Sequence, residues 1–99
     1  MMKEITAKEV EQLLHGEHRL GIIDVREVEE VKAGMIPGAV NIPLSLLEFR
    51  MNELPKDKEY IVVCSSGGRS ARAVQFLESY GYNVTNMTGG MLAWEGPVD

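Results

Sequence analysis

The stretch from Tyr60 to Tyr80, YIVVCSSGGRSARAVQFLESY, narrows the choice of fold more than any other part of the chain. Ile61, Val62 and Val63 form an unbroken β-branched run, the mark of a strand buried on both faces. The run ends at Cys64, passes through the small residues Ser65-Ser66-Gly67-Gly68, and becomes a helical pattern at Arg69. Ala73, Val74, Phe76, Leu77 and Tyr80 share one face of that helix, while Arg72, Gln75 and Glu78 share the other. Gly81 stands where a left-handed residue ends a helix. A strand covered on both faces needs helices above and below it, which points to a layered α/β fold.

The remaining segments repeat this alternation. Thr6 and Glu9 make a capping box, and Ile5 and Val10 a hydrophobic staple, for a helix striped by Val10, Leu13 and Leu14 and ended near Gly16. Residues 21–25 read as a buried strand, followed by an amphipathic helix over 26–33 that stops at Gly34. Pro37 and Gly38 occupy the second and third positions of a type II turn. A short strand over 39–42 ends at Pro43. Ser45 with Glu48, and Leu44 with Phe49, repeat the box and staple and predict a helix over 46–52. Residues 82–87 read as a last strand. Gly89-Gly90 then turns into a short helix over 91–94, whose Trp94 is expected to pack against the sheet. The links are too long for hairpins, so the strands run parallel. Residues 1–99 are expected to form one domain.

The loop after the central strand carries the chemistry. Residues without bulky side chains let successive backbone N–H groups turn around one point, and the helix N-terminus adds its own unpaired donors. A thiol held there has its pKa drawn from about 8.5 toward roughly 3.5–7.5. Cys64 is therefore the candidate nucleophile, in preference to an inert buried cysteine. The N–H groups of Ser65, Ser66, Gly67, Gly68, Arg69 and Ser70, together with the serine hydroxyls, form the candidate anion cradle. Two roles stand open for Arg69: a guanidinium aimed at the bound anion, or an ion pair with a carboxylate such as Asp24 that stiffens the loop. Asp24 reads as an ion pair or cap that joins its strand to the following helix, Arg26 as having a similar structural role, and Arg72 as a solubilising charge.

Cys64-Ser65-Ser66-Gly67-Gly68-Arg69-Ser70 resembles the active-site loop of rhodaneses, whose pattern is Cys, four residues, Arg. Asp24-Val25-Arg26-Glu27 followed by residues 34–43 is similar to that family's N-terminal signature, with Met35 where the family often has His. Residues 89–94, Gly-Gly-Met-Leu-Ala-Trp, are similar to its C-terminal signature. The resemblance covers nearly the whole chain. It implies a central parallel sheet of about five strands with helices on both faces. It also implies a sulfurtransferase that carries sulfane sulfur as a Cys64 persulfide. The implied donor is a small anion such as thiosulfate or a persulfidated protein. The implied acceptor is cyanide in an assay, and a thiol or carrier protein in the cell. No metal or organic cofactor is implied.

Charge and composition bear on partners and compartment. The net charge of −5, with no basic cluster beyond Arg69 and Arg72, argues against nucleic acid as a partner. No run approaches the ~18 apolar residues of a membrane span. One cysteine and no apolar leader predict a cytoplasmic protein. The Asn83 and Asn86 glycosylation triplets are then chance matches. His15 and His18 lack a third ligand nearby and are expected to be a solvated helix end. Among rivals, related phosphatase and arsenate reductase loops place five residues between Cys and Arg, and a four-residue ring is too tight for a tetrahedral phosphoryl group. A binding module would be expected to have lost Cys64. A peroxide sensor lacks a second cysteine to resolve a sulfenic acid, and thioredoxin-like chemistry lacks the Cys-x-x-Cys pair.

Overall fold

The computed structural model describes residues 2–16 and 20–99. Five strands form one sheet, β1 (Glu4–Thr6), β2 (Leu20–Asp24), β3 (Val40–Asn41), β4 (Glu59–Val63) and β5 (Asn83–Thr88). Four helices accompany them, α1 (Ala7–Leu14), α2 (Val28–Val31), α3 (Leu47–Arg50) and α4 (Gly68–Ser79). Every pairing is parallel, in the order β1-β5-β4-β2-β3, so β4 lies at the centre. The expected five-stranded parallel sheet is present. Among the described residues no helix is long and apolar enough to cross a membrane.

The two faces of the sheet follow from the period-two alternation of side chains along each strand. Ile23, Tyr60, Val62, Cys64 and Val84 point to one side, where they pack with Leu47 of α3 and Ala73, Val74 and Leu77 of α4. Ile22, Ile61, Val63 and Met87 point to the other, where they meet Ala7 and Val10 of α1. Ile5 and Trp94 pack against this second cluster. Each fully buried Val, Leu or Ile contributes about 1.5–3 kcal/mol relative to exposure. Cys64 thus lies one residue past β4, on the side covered by α4.

The α1 start forms as the sequence predicts. Glu9 N–H donates to Thr6 Oγ1 at 3.1 Å, and Thr6 N–H donates to Glu9 Oε1 at 3.0 Å. Along α1 the buried side chains are Ala7 and Val10, whereas Leu14 is exposed. The type II turn is also formed, with Ala39 N–H on Ile36 O at 3.0 Å and Gly38 at φ 83°.

Three expectations are corrected. Thr6 ends a strand as well as capping a helix, because residues 4–6 pair with residues 86–88 of β5. The helix expected over 26–33 shortens to α2, because the Arg26 N–H turns back to Asp24 Oδ1 at 3.0 Å and holds the chain out of helix. The helix expected over 46–52 is a 3-10 turn, Leu44–Leu46, then α3, then a second 3-10 turn, Met51–Glu53. Ser45 falls inside the first turn rather than at a cap, so no box with Glu48 forms. Leu44 packs on the core while Phe49 is 80% exposed, so no staple forms either.

Candidate functional site

The site is built at the C-terminal end of β4, where open parallel sheets leave room for chemistry. The chain leaves β4 at Val63, passes Cys64, and enters α4 through Gly67, which has φ 108°. Gly67 N–H points at the Cys64 sulfur at 3.0 Å. The Cys64 thiol lies 3.3 Å from Ser70 Oγ and donates to it. Burial pushes the Cys64 thiol up, but the Ser70 hydroxyl and the backbone N–H groups of Ser70, Gly67 and Ser66 outweigh it, so the thiol is held below its ordinary value. The donors therefore come from Ser66, Gly67 and Ser70, part of the expected cradle. Cys64 itself is only 1% exposed, while Ser66 and Gly68 stand at the surface.

Two neighbouring segments keep the loop in this shape. Met91 N–H donates to Cys64 O at 2.8 Å, and Leu92 N–H donates to Ser65 O at 3.0 Å. Gly90 makes that approach possible, since a Cβ there would stand 2.4 Å from Ser65 O and 2.6 Å from Cys64 O. From β5, the buried Asn86 reaches the loop. Ser70 Oγ donates to Asn86 Oδ1 at 2.5 Å, and Asn86 Nδ2 donates to Gly67 O at 3.4 Å. The glycosylation triplet at Asn86 is thus a buried part of the loop's support.

Arg69 pairs with Glu30 of α2, not with Asp24. Its Nη1 and Nη2 donate to the two carboxylate oxygens at 2.5 and 2.8 Å. The Arg69 guanidinium, followed by the Glu27 N–H, holds the Glu30 carboxyl down at about 2. Arg69 also lines a groove with Val25, Glu27, Leu44 and Ser45. Arg72 lines a neighbouring groove with Leu44, Ser45 and Phe76.

Asp24 and Arg26, each expected to be structural, pair with one another. Arg26 Nη2 donates to Asp24 Oδ2 at 2.8 Å, and Nε reaches both carboxylate oxygens at 3.1 Å. Arg26 Nη2 also ties down Gly34 O at 2.9 Å. Asp24 is fully buried and Arg26 nearly so.

Three residues of the site escaped sequence reasoning: Glu30, Asn86 and Gly90. Asn86 left little trace, since β5 also carries the polar Asn83, Thr85 and Thr88. His15 is exposed, and His18 lies outside the described residues. Among the described residues no group of three metal-ligating side chains comes together.

Comparison with known proteins bears on this loop. Residues 6–97 match the family model described as "Rhodanese-like domain". The chain is 43% identical to YtwF of Bacillus subtilis over 95 residues, 96% of this chain and 92% of that one. It is 38% identical to a protein of Allochromatium vinosum named "Sulfurtransferase", over 95% of this chain and 89% of the other. The crystal structure of a rhodanese-like domain protein from Staphylococcus aureus superposes with a TM-score of 0.93 at 39% identity, covering 99% of this chain and 97% of that one.

Proposed function

The chain belongs to the rhodanese-like domain family, and from that premise we propose that residues 1–99 act as a single sulfurtransferase domain whose working group is Cys64. One observation carries the reading. The Cys64 sulfur receives the Gly67 N–H at 3.0 Å beside the Ser70 hydroxyl at 3.3 Å, in a cradle that favours the anion. The thiolate attacks the outer sulfur of a donor such as thiosulfate. A new S–S bond forms, the donor's S–S bond breaks, and sulfite leaves with the bonding pair. The Cys64 persulfide is again an anion, so the Ser66, Gly67 and Ser70 donors that hold the thiolate hold it too, with the N–H groups of Ser65, Gly68 and Arg69 completing the ring around the outer sulfur. A nucleophile then takes the outer sulfur: cyanide, giving thiocyanate, or a thiol of a carrier protein. The thiolate is restored, which makes the cycle a two-step covalent transfer. No proton is abstracted from carbon or oxygen, so no histidine is needed.

Arg69 stiffens the loop through Glu30 while also lining the groove. In this reading it attracts an anionic donor only as far as Glu30 releases it. The protein works in the cytoplasm, where one reduced cysteine persists.

The test is an intact mass of the reduced protein after incubation with thiosulfate and desalting, beside Cys64→Ser. Wild type gains one sulfur atom that cyanide removes, and Cys64→Ser gains none. If the variant also gains it, Cys64 is not the carrier. If neither gains it with thiosulfate or with a persulfide donor, the reading fails.

A further inference from the structure

The Ser70 hydroxyl has one proton and more acceptors than it can serve. Asn86 Oδ1 lies at 2.5 Å, Gly67 O at 3.2 Å and the Cys64 sulfur at 3.3 Å. While Cys64 is a thiol, every group is satisfied in a chain: the S–H donates to Ser70 Oγ, and the Ser70 O–H donates to Asn86 Oδ1. When the thiol ionises, the sulfur changes from donor to acceptor. Among the described residues, the side-chain hydroxyl bonded to it is that of Ser70, which is then turned away, toward Asn86. Rotation about the Ser70 Cβ–Oγ bond gives the sulfur that proton and takes it from Asn86 Oδ1. Asn86 is 3% exposed, so its oxygen cannot simply turn to bulk water.

We propose that Asn86 is a positioning residue: its side-chain oxygen holds the Ser70 hydroxyl while Cys64 is a thiol and yields it to the sulfur when Cys64 ionises. This rests on the reading of Cys64 as the sulfur carrier. It adds a residue from a different strand that sets how much donor strength the thiolate receives. A competing acceptor keeps the thiolate from being over-stabilised. That matters because a thiolate loses intrinsic nucleophilicity as its pKa falls. The Nδ2 bond to Gly67 O keeps the amide in the orientation that presents Oδ1 to Ser70.

The charged groups around the loop do not supply this switch. Arg69 of α4 is bound to Glu30 of α2, and Glu30 stays ionised down to about pH 2. The Asp24–Arg26 pair beyond β2 is closed on itself. From β5 the group that reaches the loop is the uncharged Asn86, and α3 contributes the apolar Leu47 to the cluster holding Cys64.

The test follows the ¹³C resonance of the Asn86 side-chain carbonyl against pH in the reduced full chain. Wild type is expected to show one inflection, at the midpoint found from iodoacetamide alkylation of Cys64. Cys64→Ala and Ser70→Ala are expected to show none. A flat wild-type curve overturns the proposal. So does an inflection that survives in Ser70→Ala, since that would be the thiolate's field acting without the hydroxyl. As a second readout, Asn86→Leu is expected to lower the alkylation midpoint and to speed alkylation at pH 6 about twofold for a half-unit fall, the roughly threefold rise in thiolate being partly offset by its lower intrinsic nucleophilicity. In a Ser70→Ala background the same change should do nothing. A slowing in both backgrounds would mean that Asn86 only braces the loop. If Asn86→Leu does not fold, the carbonyl titration decides alone. The sulfur-mass experiment is independent, so a normal titration without sulfur gain would refute the function and leave the switch standing.

Discussion

Gly90→Ala isolates the contact on which the loop's shape depends. Gly90 has φ 59°, and so costs an L residue roughly 1–2 kcal/mol for the left-handed backbone alone. Gly38 has φ 83° and nothing within 4 Å of an added Cβ, so Gly38→Ala carries that backbone cost and little else. At Gly90 the added Cβ meets Ser65 O at 2.4 Å, Ser65 C at 2.5 Å and Cys64 O at 2.6 Å. These are backbone atoms, which no rotamer change can move aside. The segments must part, and the Met91 N–H to Cys64 O and Leu92 N–H to Ser65 O bonds are stretched or lost. Two such bonds at about 1 kcal/mol each put Gly90→Ala about 2 kcal/mol below Gly38→Ala. With a urea slope of about 1.5 kcal/mol/M, the two midpoints should differ by roughly 1.3 M. The displaced carbonyls also belong to Cys64 and Ser65, so alkylation of Cys64 should slow in Gly90→Ala and stay normal in Gly38→Ala. Urea midpoints that agree within error, or an unchanged alkylation rate, would refute the reasoning.

Other outcomes follow from the same geometry. Glu30→Gln removes the carboxylate that occupies Arg69; the KM for thiosulfate should fall severalfold with little loss of stability, because an ion pair whose side chains are 33% and 35% exposed is screened and contributes only about 0–1 kcal/mol, and a higher KM in steady-state kinetics would count against the groove role of Arg69. Because the folded Glu30 carboxyl titrates near 2, below its ordinary 4.5, its stabilising contribution is complete above about pH 4.5 and is lost as pH falls toward 2; activity changes between pH 6 and 9 should therefore survive in Glu30→Gln and belong to Cys64. Arg26→Met leaves the fully buried Asp24 unpaired and should cost about 3–5 kcal/mol in urea unfolding, whereas a loss under 1 kcal/mol would show that water reaches the carboxylate. Inserting one Gly between Gly67 and Gly68 widens the ring of N–H donors; thiosulfate turnover should drop, and unchanged kinetics would remove loop size as the selector.

What could be read from the sequence alone was what neighbours along the chain decide together. The Thr6–Glu9 box and the Pro37-Gly38 turn each lie within a single turn of backbone, and the strand-loop-helix around Cys64 is one continuous stretch of chain, so residue type and spacing carry their physics. The apolar alternation implied a parallel layered sheet because β-branched runs need cover on both faces. The expectation for α3 failed where local signals misled: Ser45 and Glu48 have cap spacing, but Leu44 and Leu47 are drawn to the core and turn the segment into a 3-10 start instead. The tertiary structure alone decided that residues 4–6 are a strand, since three residues have no pattern until β5 supplies a partner. It alone chose Glu30 over Asp24 for Arg69, across 39 residues of chain, because Arg26 already fills Asp24. It also brought Asn86 to Ser70 and Gly90 to Ser65, contacts between side chains or backbones that no periodicity records. The nucleophile was thus visible in local sequence, while the partners that orient it were settled by which strands lie side by side.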